Sequence, residues 1–134
     1  MTASIIDGKI ISAEVRAEAK LEVARFVDLY KTSPCLAVVL VGENPASQVY
    51  VRTKSKMAKE IGMEVEDHIK TEDISETELI EIINQLNNDK KVNGILVQLP
   101  LPPHIDSRVI IEEIDRLKNS DDFHLLNFGR KPLV

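Results

Sequence analysis

The sequence predicts an α/β domain with a small parallel sheet between two helix layers, a three-layer αβα arrangement. Segments with helical spacing of apolar residues alternate with short apolar runs along the chain, and glycine, proline and capping residues fall between them. The strongest run, Leu36-Ala37-Val38-Val39-Leu40-Val41, is continuously apolar, as a strand covered on both faces must be. Strands joined through helices cross over right-handedly and so lie parallel. With 134 residues and 43% hydrophobic content there is material for one domain with a real core, and two would be crowded.

Each element follows from its local pattern. Residues 9–31 read as a long helix, with Ile10, Ala13, Ala17, Leu21, Ala24 and Val27 recurring every three or four positions, and it ends before Pro34. Residues 36–41 form the covered strand, bounded by Pro34 and by the stretch 42–45. A second helix spans 46–61, and Gly62 sits where a left-handed C′ residue is wanted. Over 63–69, Met63, Val65, Asp67 and Ile69 alternate with Glu64, Glu66 and His68, giving a half-exposed strand whose apolar side is broken by Asp67. Ser75 and Glu78 make a capping box ahead of Leu79, Ile82, Ile83 and Leu86, so a third helix runs to about Asn88. Residues 94–99 are the third strand. Residues 107–117 carry Val109, Ile110, Ile111, Ile114 and Leu117 as a last helical segment, and a polar turn follows at 118–122.

Composition narrows the function classes. A net charge of −5 with scattered cations gives no field to recruit nucleic acid. Residues 1–8 hold neither a cationic leader nor an apolar core of signal-peptide length, and no run reaches the roughly 18 apolar residues of a membrane span, so a soluble, cytoplasmic chain is expected. The single cysteine, Cys35, opens an apolar strand, where a buried structural thiol is the expected role. His68, His104 and His124 lie on three segments without ligand spacing, so no metal site is expected, and no Ser–His–Asp or Cys–His arrangement can be read.

Ligands of open parallel sheets bind beyond the carboxyl ends of the strands, which here selects 42–50, the end of 94–99 and the 118–122 turn. Next to the first of these stands Lys54. At about 100° per residue, Ser47, Tyr50, Val51, Lys54, Met57, Ala58 and Ile61 share one helix face, while Arg52, Lys56, Lys59 and Glu60 project elsewhere. A lysine on a face that reads as core either snorkels to water or is partly desolvated, and desolvation favours the neutral amine that proton transfer needs. Gln98, at the end of a buried strand, is the second anomaly. Its amide must find partners there, as a structural cap or as the group that positions the Lys54 amine. Pro100, Pro102 and Pro103 stiffen the segment beyond it. Tyr50, one turn before Lys54, offers a plane on which a flat heterocycle can stack. Asp121 and Asp122 sit in a turn where either solvation or a bound ring donor explains an acid.

Taken together, Tyr50-Val51-Arg52-Thr53-Lys54, the run Val97-Gln98-Leu99-Pro100-Leu101-Pro102 and the turn from Lys118 to His124 resemble the amino-terminal domain of the bifunctional methylenetetrahydrofolate dehydrogenase/cyclohydrolase family. The resemblance runs from about Ile6 to Gly129, with Val41-Gly42 and Pro45-Ala46-Ser47 ahead of the tyrosine, Leu86-Asn87 before the third strand and Phe123-His124 near the end. It implies that 1–134 is a folate-binding catalytic domain whose last residues, about 125–134, begin an interdomain segment of a two-domain enzyme. Implied with it are Lys54 as catalytic lysine, Gln98 as its partner, Tyr50 as the platform for the folate, Val97, Leu99 and Pro100 as further substrate-site residues, and Asp121 as the carboxylate for the pterin ring. The implied chemistry is one-carbon metabolism serving purine biosynthesis. Methylenetetrahydrofolate is oxidised by NADP, and methenyltetrahydrofolate is hydrolysed to the formyl form, by a homodimer.

This sequence departs from the family in two respects. Gly8, Gly42, Gly62, Gly94 and Gly129 are too far apart to build a Gly-rich phosphate loop, so no dinucleotide site is expected in this chain, and the family places that Rossmann domain after residue 134. The family turn Lys-Asp-Val-Asp-Gly-Phe-His reads Lys118-Asn119-Ser120-Asp121-Asp122-Phe123-His124 here, with Arg116 and Leu125 where proline is usual. A non-catalytic folate-binding or partner-docking remnant is the competing reading. A Schiff-base lysine enzyme is a third, for which borohydride trapping on Lys54 is expected to fail.

Overall fold

A computed structural model describes residues 3–120. The expected Asp121 and the residues after it lie outside that range. Three strands, β1 (Cys35–Val41), β2 (Glu64–Lys70) and β3 (Gly94–Val97), form one parallel sheet in the order β2-β1-β3. They alternate with helices α1 (Gly8–Tyr30), α2 (Pro45–Glu60), α3 (Glu76–Asn88) and α4 (Ser107–Glu113). The αβα reading is borne out.

Central β1 is buried on both faces, as its unbroken apolar run requires. Successive side chains point to opposite sides of the sheet. Cys35, Ala37, Val39 and Val41 accordingly join Ile95, Val97 and the α3 residues Leu79, Ile83 and Leu86 in the larger core, which Ile110 and Ile114 at α4 complete. Val38 and Leu40 instead meet Leu96 and Val51 of α2 in a smaller one.

Helix ends follow local chemistry. Asp7, Asn44 and Asp106 cap α1, α2 and α4 through side-chain oxygens that accept backbone N–H groups, and Pro45 occupies the first turn of α2, where its missing donor costs nothing. The Ser75–Glu78 capping box of α3 is formed from both sides. Gly62 takes φ +99° just past α2, and a Cβ there would lie 3.2 Å from a methyl of Val23, so both conformation and space demand glycine.

Four expectations need correction. On α1, the face read from Ile10, Ala13, Ala17, Leu21, Ala24 and Val27 is exposed apart from Val27; Ser12, Arg16, Ala19, Val23, Phe26 and Val27 are the half-buried residues. This helix carries apolar residues almost all round, so periodicity alone does not select its packed side. The third strand ends at Val97, although the Gln98 N–H still donates to Val39 O at 2.9 Å. α4 stops at Glu113 because Ile114 turns to extended φ/ψ. The start of the expected 118–122 turn is strand-like. Ile95 N–H donates to Lys118 O, Asn119 makes a parallel bridge to Ile95, and Ser120 Oγ donates to Ile95 O.

Candidate functional site

The site is assembled where β1 and β3 end. β1 leaves the sheet through Gly42, at φ +85°, and reaches the N-cap Asn44, whose side chain accepts the Ser47 N–H at 3.1 Å. From there the buried line of α2 runs through Ser47, Val51, Ser55 and Ala58. That line is rotated from the one the sequence suggests. Lys54 and Tyr50 flank it and are exposed, Tyr50 at 58%. The desolvation expected for Lys54 is therefore not supplied by residues 3–120, because small Ser55, rather than Lys54, takes the inward position.

The predicted partnership is nevertheless made. Lys54 Nζ donates to Gln98 Oε1 at 3.2 Å, linking the middle of α2 to the end of β3. Gln98 is 9% exposed, and its Nε2 donates to Leu99 O at 3.0 Å. With the NH₂ group engaged by its own chain, the carbonyl oxygen is the end that faces the lysine, so the amide orientation is fixed by the hydrogen-bond pattern. The Leu99–Pro100 peptide is cis. Leu99 is half-buried and Pro100 exposed, while the Val97 side chain is turned into the larger core. A cleft of about 420 Å³ lies between the 41–44 loop, Glu72 and the 100–103 segment; of the expected site residues it is lined by Pro100, and not by Lys54, Gln98 or Tyr50.

Other polar groups have structural partners. Ser55 Oγ donates to Asp67 Oδ1 at 3.2 Å, which explains an acid on the apolar side of β2 and ties that strand to α2. Sequence reading marked Asp67 but missed Ser55; its signal was a serine four residues after Val51 on one helix face. Burial, then the acids Glu66, Glu64 and Asp89, push the Cys35 thiol up from 9.0 to about 11, so at neutral pH it is protonated and no nucleophile. The Lys118 ammonium donates to Leu86 O and Asp89 O, capping α3. Among the described residues no group of three or more His, Cys, Asp or Glu could hold a metal ion, and no helix is long and apolar enough to cross a membrane.

Similarity to known proteins is extensive. Residues 6–121 match the family described as tetrahydrofolate dehydrogenase/cyclohydrolase, catalytic domain. A bifunctional FolD protein of Roseobacter denitrificans is 50% identical over 129 residues, 96% of this chain and 43% of the relative. Another from Rhodopseudomonas palustris is 52% identical over 130 residues, 97% of this chain and 44% of the relative. Among solved structures, the Campylobacter jejuni FolD dehydrogenase/cyclohydrolase superposes with a TM-score of 0.87 at 46% identity, covering 92% of this chain and 43% of that one. The Trypanosoma brucei enzyme, complexed with NADP cofactor and inhibitor, gives 0.88 at 32% identity, with 96% and 44% covered. The chain thus spans less than half the length of the curated relatives it matches.

Proposed function

The chain belongs to the tetrahydrofolate dehydrogenase/cyclohydrolase family, and from that premise we propose that it is the folate-binding, proton-handling half of an enzyme of one-carbon metabolism. The observation that carries this reading is the 3.2 Å hydrogen bond from Lys54 Nζ to Gln98 Oε1 at the carboxyl ends of the strands. In the hydrolytic step, water forms a C–O bond to the electron-poor methenyl carbon. One of its protons passes by way of Lys54 to the ring nitrogen as the C–N bond breaks, and the other leaves to solvent as the C=O bond forms, giving 10-formyltetrahydrofolate. Gln98 holds the amine in place, Tyr50 stacks on the folate, Leu99 and Pro100 border it together with the Val97 backbone, and Asp121 accepts from the pterin ring.

The companion oxidation delivers hydride from methylenetetrahydrofolate to NADP. Residues 3–120 do not fit that cofactor. Gly42, which leads from β1 into α2, stands alone among the described residues, and no Gly-rich pyrophosphate cradle follows it. What this chain's residues contribute to that step is folate orientation. The complete protein is proposed to be a cytoplasmic homodimer serving purine biosynthesis.

Turnover of methenyltetrahydrofolate, followed by loss of its absorbance, tests the reading. Wild type should exceed the uncatalysed rate, and Lys54→Met and Gln98→Ala should fall toward it. Equal, uncatalysed rates in all three, with folate still bound, would leave the binding-remnant alternative in possession.

A further inference from the structure

Beyond Gln98 the chain leaves the sheet as Leu99-Pro100-Leu101-Pro102-Pro103, and three of these five positions have φ fixed by a ring. So stiff a segment swings as a unit, and what holds its far end also aims its near end. At the near end the Leu99 carbonyl is coplanar with the Pro100 nitrogen, and it accepts from Gln98 Nε2 at 3.0 Å. The other end of that amide, Gln98 Oε1, accepts from Lys54 Nζ at 3.2 Å. The group that holds the lysine is thus aligned on a carbonyl whose plane the proline segment sets.

At the far end stands His104. Its Nε2 is 2.7 Å from Ile74 O, and because a carbonyl only accepts, that nitrogen carries the proton and donates. The acceptor is firmly seated. Ile74 is buried in the larger core, and its own N–H donates to Thr71 O in a turn. Pro102 is buried and Ile105 joins the same core, but apolar burial is non-directional, so it fixes the depth of the segment rather than its aim. The His104 bond supplies the direction, by tying the segment to the loop that carries Glu72, the opposite wall of the cleft of about 420 Å³. The imidazole is exposed and has water within reach, so burial does not compel this contact.

We propose that His104 is a positioning residue for the Lys54–Gln98 pair, acting through the proline segment and the Leu99 carbonyl without touching substrate. The assignment rests on the proton-handling role proposed for that pair. Releasing His104 from Ile74 frees the segment to shift, the Leu99 carbonyl shifts with it, and the Gln98 amide loses the group that orients it.

Three variants separate positioning from stability. In His104→Ala, kcat for methenyltetrahydrofolate hydrolysis should fall at least about tenfold, by more than KM rises. His104→Gln places an amide nitrogen the same number of bonds from Cα as the imidazole Nε2, and it should recover most of that loss. Ser75→Ala removes the capping box of α3 next to Ile74 and so lowers stability, but it leaves the proline segment tied and should turn over as wild type does. A second readout needs no turnover. The Gln98 side-chain NH₂ signals in nitrogen–proton correlation spectra, identified by their loss in Gln98→Ala, should move in His104→Ala and return in His104→Gln. Unmoved Gln98 signals in His104→Ala, or equal slowing in Ser75→Ala, overturns the assignment. A Lys54→Met chain at the wild-type rate removes the proton-handling reading and this assignment together, whereas His104→Ala at that rate beside an impaired Lys54→Met removes this one alone.

Discussion

The two faces of the sheet are built to different ends. Under α3 and α4, fourteen described residues make one closed core, with Ala37, Val39, Leu79, Ile83 and Ile110 without solvent contact. Under α2 the buried apolar cluster numbers four, Val38, Leu40, Val51 and Leu96, and two hydrogen bonds, Ser55 to Asp67 and Lys54 to Gln98, complete the attachment. One face therefore holds the fold by apolar burial, and the other leaves polar side chains where a ligand can reach them. Chemistry belongs on the thin face because groups that exchange protons with water cannot be sealed behind leucines, and the thick face supplies the stability that the thin one gives up.

If that division is right, substitutions on the two faces should separate rate from stability. Lys54→Met is expected to lower methenyltetrahydrofolate hydrolysis by at least about 100-fold with little change in melting temperature, since the lysine is exposed and its loss opens no cavity. Ile83→Ala should do the reverse. Ile83 has no solvent exposure, so denaturant unfolding should report a loss of about 3 kcal/mol, while the rate per folded molecule stays unchanged. A Lys54→Met chain that unfolds, or an Ile83→Ala chain that folds well and is inactive, would erase the distinction.

How far the sequence discloses these faces depends on how strongly each residue type commits. β1, the α3 capping box and the Gly62 stop are legible because an unbroken apolar run, a reciprocal cap and a left-handed residue each admit few alternatives. The Lys54–Gln98 pair is legible because a cation and an amide among apolar neighbours both need partners. The depth of Lys54 is not. The buried line of α2 passes through Ser47, Ser55 and Ala58, small residues with weak preference for either environment, and Tyr50 and Met57 pull the apparent face toward themselves. α1 fails for the opposite reason, since apolar residues on several sides let packing partners, rather than spacing, decide which side is covered. Asp121 and Asp122 lie beyond residue 120, so the altered family turn keeps its standing as a reading of sequence.

A smaller effect sharpens the description of the thick face. Burial raises the Cys35 thiol from 9.0 to about 11. The folded chain then keeps a proton that the unfolded chain releases, so stability is complete below pH 9 and declines as pH rises toward 11, by on the order of 2 kcal/mol. Cys35→Val cannot titrate. The stability difference between wild type and this variant should shift against wild type across that interval, and a pH-independent difference would mean that the thiol is reached by water.

The smallest effect expected lies on the thin face, at Ser55. Ser55→Ala removes the donor to Asp67 and leaves a compact apolar residue in a buried position, while the carboxylate, on an exposed residue, can turn to water. Only the net value of one hydrogen bond is at stake, about 1 kcal/mol, a third of the Ile83→Ala loss. Because Val51, Ala58 and the N-cap Asn44 still seat α2, the Lys54–Gln98 distance should hold and the hydrolytic rate should follow wild type. A much larger loss of stability, or a fall in rate with stability intact, would mean that the strand-to-helix clamp governs where the lysine stands, and the thin face would then be a coupled unit instead of a lightly attached helix.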